Sequence, residues 1–407
     1  MPIDDADIMG DFCGPIELVV LQSTPFCNLD CSYCYLSQAS RRDISKLPLT
    51  SVASVFRKIL SSRYLGAGLQ ISWHSGEPLV LKPAYYESAI NTILGIRDEY
   101  LPKSFDIRFD IQTNGTLINQ EWCDFFKAHH SVLSVGVSCD GPAFLHDAHR
   151  RNWAGQATHR KVIEGIELLQ LNGICFDVIA VVSEEGLENP IAFIEFFDSF
   201  KESIREFHFN LHDELSSIDF IDDGKLQTFA RRYDVFLRKL LFSYQSASSS
   251  LRIRNFSAFY EMILSESDTK PLFDARSMSR PLKVLNIQTN GDVSTLYAGL
   301  TGSECKDLYG DGRGLIIGNL IDQDLDDLSA SSKLRQIWQD FEMSHRACEA
   351  TCDYYRVCPG GYNLVKYKRF GTFNATETPE CRIHIKTFTD VMLNELNINA
   401  NSGKDCN

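Results

Sequence analysis

The chain has 407 residues, is 44% hydrophobic and carries a formal net charge of −14. That length allows a sizeable core in two or three domains, and the acidic balance argues against a nucleic-acid partner, whose phosphates need a basic surface. The start, MPIDDADIMGDF, has neither a basic nor an apolar signal region, and no apolar run approaches the ~18–20 residues of a membrane span. Thirteen cysteines then suggest a reducing, cytoplasmic setting with no membrane partner, where clustered thiols serve metal or redox chemistry instead of disulfides.

In chain order, residues 1–15 form an N-terminal extension and IELVVLQST, from Ile16, reads as the first strand. Further short apolar runs follow at LQISWH, FDIRFDIQTNG, SVLSVGVSCDGP, ICFDVIAVVS and IREFHFNLHDE. Helix-like stretches lie between them. Thr50 precedes SVASVFRKIL, Asn119 precedes QEWCDFFKAHH, and Asn189–Pro190 opens IAFIEFFDSF, each a start signal. Six β–α units imply a parallel sheet with right-handed crossovers. The reading is an α/β chain with a partial (β/α)6 TIM-like barrel over residues 16–219. The polar tails STPFC, HSGEP, QTNG, SCDGP and HDE would then share the rim where active sites assemble. Residues 220–285 read as connecting helices and a loop. Residues 286–407 form a cysteine-bearing C-terminal domain, introduced by the strand pair VLNIQTNGDVSTL.

TPFCNLDCSYCYL, after the first strand, sets Cys27, Cys31 and Cys34 in C-x3-C-x2-C spacing. Three packed thiols or a partial zinc site would be the plain reading, but three cysteines in one loop with no histidine nearby suit neither well. Thiolates so spaced suit a 4Fe–4S cluster that holds three irons and leaves one open. The motif, with Tyr33 before its third cysteine, resembles the signature of radical S-adenosylmethionine (SAM) enzymes. The resemblance implies that the open iron chelates the amino and carboxylate groups of SAM, and that an electron delivered to the cluster by a donor such as flavodoxin or ferredoxin cleaves the sulfonium to a 5′-deoxyadenosyl radical. HSGEP resembles the family's G-G-E-P motif, with Ser75 in place of the first glycine; Gly76 and Glu77 would meet the SAM ammonium. Gln112 and Asn114 of QTNG, Ser138 of SCDGP and Arg150 of HDAHR complete the implied cofactor contacts, Arg150 pairing with the SAM carboxylate.

CEATCDYYRVCPGGY supplies Cys348, Cys352 and Cys358, and TPEC adds Cys381. This set resembles the SPASM extension of radical SAM enzymes, whose seven cysteines hold two auxiliary clusters. Here the first gap is one residue longer, and Tyr362 and Leu296 stand where ligands of one auxiliary cluster are expected. The resemblance therefore implies one auxiliary 4Fe–4S cluster on the four retained cysteines; a four-cysteine zinc site is the alternative. Cys305 is a possible stray ligand. Cys13, Cys123, Cys139, Cys175 and Cys406 read as packing or tail residues, Cys139 being placed at the rim.

Over nearly the whole chain the sequence looks most like the cyclophane-forming maturases of glycine-rich-repeat peptides (the GrrM/OscB type). That implies a ribosomally made precursor peptide as partner and a carbon–carbon crosslink between an aromatic ring and a side-chain β-carbon. With the first strand near Ile16, recognition of the precursor is expected to fall to the barrel, the 220–285 segment or the C-terminal region. His212, Asp213 and Glu214, after the sixth strand, are candidates for the base that takes the ring proton, or are solvated loop polars. The alternatives are a formylglycine-forming sulfatase-type maturase or other SPASM peptide oxidase and, in another class, a non-catalytic iron–sulfur or SAM-binding protein.

Overall fold

The computed structural model describes residues 12–212, 223–245, 251–264, 275–295 and 306–402. Asp213, Glu214, Leu296, Cys305 and Cys406 lie outside the described residues. The strands are β1 (Ile16–Leu21), β2 (Leu65–Trp73), β3 (Asp106–Thr113), β4 (Leu133–Ser138), β5 (Phe176–Val182), β6 (Ile204–Leu211), β7 (Val284–Ile287), β8 (Asp292–Thr295) and β9 (Ile316–Asn319). The class is α/β, with an open, mainly parallel sheet. The chain clusters into two compact units, Met1–Ser138 with Arg150–Ile174 and Ser277–Asp340, and Cys139–His149 with Cys175–Arg276 and Phe341–Asn407.

In the first unit the strand order is β4-β3-β2-β1-β7-β8-β9. β1 to β4 pair in parallel, with Leu21 beside Trp73, Trp73 beside Ile111 and Gln112 beside Gly136. All four chains therefore leave the sheet at one edge, and their tails gather there. β3 shows why these residues make strands. Ile107, Phe109, Ile111 and Thr113 are buried and alternate with polar residues, as a period of two requires. On the other face Asp110 accepts from Gln70 Nε2 at 2.7 Å and Ser72 Oγ at 2.6 Å. Trp73, stacked on Phe109 at 5.3 Å and met edge-on by Tyr86, anchors the core. Each such fully buried large side chain contributes about 1.5–3 kcal/mol. The strand pair expected near residue 286 is the antiparallel hairpin β7–β8, and β7 runs parallel to β1.

Two of the three helix starts are as expected. Asn119 Oδ1 accepts from Trp122 N–H at 3.1 Å, and Pro190 begins the helix Pro190–Asp198. Asn189, however, makes no cap bond there; its Nδ2 donates to Glu185 O at 2.8 Å instead. The third start is corrected. The helix Leu49–Leu60 begins after Pro48, whose extended backbone serves as the cap, and Thr50 lies inside the first turn. The burial of Val52, Val55, Phe56 and Ile59 against the core sets that start, overriding the weaker local signal.

In the second unit β5 and β6 pair in parallel. Phe193, Phe197, Phe207 and Phe236 pack edge to face around them. Helices Asp223–Gln245 and Arg254–Leu264 follow β6 in the chain. Cys123 and Cys139 are fully buried packing residues, whereas Cys175 is exposed, which corrects its reading as a packed thiol. Among the described residues no helix is long and apolar enough to cross a membrane.

Candidate active site and cysteine sites

The loop after β1 is built from the sheet edge outward. Gln22, Ser23 and Thr24 are buried. Thr24 Oγ1 donates to Ser45 O at 2.7 Å, and Ser23 Oγ meets the Tyr86 hydroxyl at 2.8 Å. Cys27 N–H donates to Arg41 O at 3.0 Å, and Cys34 N–H to Cys31 O at 3.3 Å. From 126 residues away Trp153 Nε1 donates to Cys27 O at 2.9 Å, while the guanidinium groups of Arg42 and Arg41 lie 4.4 and 5.2 Å from its ring. Sequence reasoning missed Trp153 as a positioning residue; a tryptophan in the polar stretch RRNWAG was the only signal.

The HSGEP turn presses on this loop. Gly76 has φ +117°, and a Cβ there would sit 2.2 Å from Thr24 O, so only glycine fits. Ser75, the departure from the expected glycine, has φ +70°, a left-handed conformation costly for a side chain. Its Oγ hydrogen-bonds the Tyr35 hydroxyl at 2.8 Å, an offsetting contact glycine lacks. Glu77 is 1% exposed. Its Oε1 accepts from Thr113 Oγ1 at 2.7 Å and Leu79 N–H at 2.9 Å, and its Oε2 from Asn114 N–H at 2.7 Å. Burial pushes this carboxyl up to about 7 against those bonds and the charge of Arg150. Glu77 thus first ties the β2 and β3 tails together, a role that sequence reading did not anticipate.

The other expected contacts gather on the same edge. Asn114 Nδ2 donates to Asn28 Oδ1 at 2.8 Å and lies 3.9 Å from Cys27 Sγ. Gln112 Nε2 donates to Ser138 Oγ at 3.1 Å; the absence of a side chain on Gly136 opens the space, since a Cβ there would meet Gln112 Oε1 at 2.3 Å. Arg150 is buried, with its guanidinium 5.4 Å from the Tyr33 ring. Burial pushes the Cys27 thiol up to about 12, with further upward push from Glu77, Cys31 and Cys34, opposed by Leu29 N–H. Crowded, desolvated thiols of this kind become thiolates when metal supplies the positive charge, so the donor set fits a three-cysteine iron–sulfur site.

In the second unit Cys348 stands on the helix Ser332–Thr351 and Cys352 just beyond it, joined by Cys352 N–H to Cys348 O at 2.8 Å. Cys358 follows in the next turn, and Cys381 opens the π-helical segment Cys381–Thr387. Burial raises Cys358 to about 12, with Cys381, Cys348 and Cys352 adding to the push and Gly361 N–H opposing it; burial raises Cys381 to about 11. The four sulfurs therefore feel one another, and the set fits an all-cysteine cluster. Among the described residues no three His, Cys, Asp or Glu side chains are drawn together as around a single ion; a cubane spreads its thiolates over separate irons.

His212 follows β6, its N–H donating to Val182 O at 2.8 Å. Its ring is 5.1 Å from that of His149, whose Nε2 lies 3.7 Å from Glu185 Oε2.

Residues 21–197 match the model of the Radical SAM superfamily. The chain is 33% identical over 394 residues to the uncharacterized protein sll1766 of Synechocystis sp., covering 97% of this chain and 95% of that one. It is 32% identical over 190 residues to a serine-type anaerobic sulfatase-maturating enzyme of Bacteroides thetaiotaomicron; the match spans 46% of this chain and 44% of that enzyme, less than half its length. The solved structure of native anSMEcpe with bound AdoMet and Cp18Cys peptide is similar in fold, with TM-score 0.72, 21% identity and 95% and 99% of the two chains covered. The loop of three cysteines at the strand ends lies within the matched span. The cofactors of the enzyme are SAM and 4Fe–4S iron–sulfur. The chain belongs to the radical SAM superfamily of enzymes and, within it, to one family with sll1766.

Proposed function

We propose that this enzyme matures a ribosomally made precursor peptide by forming a cyclophane, a carbon–carbon bond between an aromatic ring and a side-chain β-carbon. The observation that carries the radical part of the reading is the gathering of Cys27, Cys31 and Cys34 with Asn114 and Arg150 at one sheet edge, together with the four cysteines that the other unit contains. Bound SAM, on one-electron reductive cleavage, supplies the radical that takes the β-hydrogen. In this reading Cys27, Cys31 and Cys34 hold the cluster, and Gly76, Glu77 and Asn114 shape the SAM pocket with Tyr33, Gln112 and Ser138. Arg150 holds the SAM carboxylate. Ring attack leaves one proton and one electron to remove. His212 is the described base candidate, and Asp213 and Glu214 belong to the same proposal. Cys348, Cys352, Cys358 and Cys381 would hold an auxiliary 4Fe–4S cluster, which would supply the electron acceptor.

The partial-barrel geometry, the domain division at 16–219, 220–285 and 286–407, a flavodoxin or ferredoxin as donor, and a cytoplasmic setting complete the proposal. The peptide in the anSMEcpe structure supports a peptide substrate. The likeness to a sulfatase-maturating enzyme favours one second reading, oxidation of a serine or cysteine to formylglycine.

Anaerobically reconstituted enzyme with SAM, reductant and the precursor should release 5′-deoxyadenosine and a peptide lighter by a pair of hydrogens per crosslink. Serine oxidation also removes a pair of hydrogens, so the mass alone does not separate the readings. Fragmentation and NMR should find a newly substituted ring, and hydroxylamine should trap no aldehyde. A trapped aldehyde with an intact ring would establish the formylglycine reading; no deoxyadenosine at all would leave a non-catalytic binder.

Arg150→Ala should keep its iron and bind SAM at least ~30-fold more weakly, since truncating one partner of a buried charge pair costs about 2–5 kcal/mol. Equilibrium binding to the reconstituted variant checks this, and unchanged affinity would remove Arg150 from the SAM site.

A further inference from the structure

Lys366, on the helix Asn363–Phe370, is 3% exposed, an unusual position for an ammonium. Its Nζ donates to Ser344 Oγ at 2.9 Å, to Ser344 O at 3.2 Å and to Cys348 Sγ at 3.1 Å. An ammonium has three donors, and here each has an acceptor. Two of those acceptors are neutral, and burying a charge is costly unless opposite charge lies close. The sulfur is the acceptor able to carry that charge.

We propose that Lys366 is a positioning residue that tunes the auxiliary cluster, its N–H to the Cys348 sulfur and its positive charge making the cluster easier to reduce. The inference rests on the reading above that Cys348 ligates a 4Fe–4S cluster. The physical reason is general: a hydrogen bond to a ligating sulfur and a nearby positive charge favour the state that carries one more electron. An acceptor for the electron left by ring attack needs such a bias. Nothing in the spacing of VKYKRF announces it, because the contact is made across 18 residues between two helices.

The test uses the full chain with Cys27, Cys31 and Cys34 all replaced by alanine, so that only the auxiliary site is seen. Its one-electron reduction is followed by EPR during dithionite titration, alone and with Lys366→Met or Lys366→Arg added. Lys366→Met should lower the reduced-to-oxidised ratio at fixed potential about tenfold, equivalent to ~59 mV downward for a one-electron couple. Lys366→Arg, which keeps the charge, should stay near the parent. If Lys366→Met does not retain iron, Lys366→Gln is read by the same criterion. An intact cluster with unmoved potential in the uncharged variants would overturn the inference, leaving Lys366 a tether between helices. A parent chain holding zinc or no metal would overturn the cluster reading and this inference together.

Discussion

Replacing Cys27, Cys31 or Cys34 singly with alanine should abolish 5′-deoxyadenosine formation while the C-terminal cluster remains. The three thiols lie in one loop after β1, and in the proposed reading the cluster they hold has no fourth protein ligand to take up the loss. The loop itself should survive the change. Its backbone is held from outside by Arg41 O, by Trp153 Nε1 and by the packing of Gly76 on Thr24, none of which uses a thiol. Each site is only partly buried and a Cys→Ala change removes a single sulfur atom, so circular dichroism should report a native fold. Deoxyadenosine released at the wild-type rate by any of the three variants would remove these cysteines from the active site.

The second large effect is in iron. Three N-terminal and four C-terminal cysteines imply two 4Fe–4S clusters, hence about eight irons per reconstituted chain. A full seven-cysteine extension would bring about twelve, and a zinc-loaded C-terminus about four with one zinc. The Cys27/Cys31/Cys34 triple alanine variant should keep about half the iron, in a cluster indifferent to SAM. This count follows if Leu296 and Tyr362 both replace ligands of a single auxiliary site, as the resemblance to the seven-cysteine extension implies. Tyr362 stands as the residue before the helix Asn363–Phe370 and offers no thiolate, while Cys358 and Cys381 remain within electrostatic reach of Cys348 and Cys352. Metal analysis with Mössbauer spectroscopy decides it. Retention of about two thirds of the iron would mean a second auxiliary cluster, and zinc without iron would end the electron-acceptor role.

The sequence by itself determined what depends on neighbours along the chain. The alternation in β3, the Asn119 cap, the proline at the start of Pro190–Asp198 and the close runs Cys27, Cys31, Cys34 and Cys348, Cys352, Cys358 are set by spacings of a few residues, and each was legible. The left-handed backbone of Ser75, where the resemblance expected glycine, emerged only in the structure. Tertiary structure alone decided the partners. Glu77 is engaged by Thr113 and Asn114, Cys27 is held by Trp153, Arg150 faces Tyr33, and Lys366 reaches Cys348. Even the start of Leu49–Leu60 was moved by core burial away from its local signal. The reason is physical: a hydrogen bond or charge pair depends on atoms meeting in space, and chain spacing carries that information only within a turn or two of the backbone.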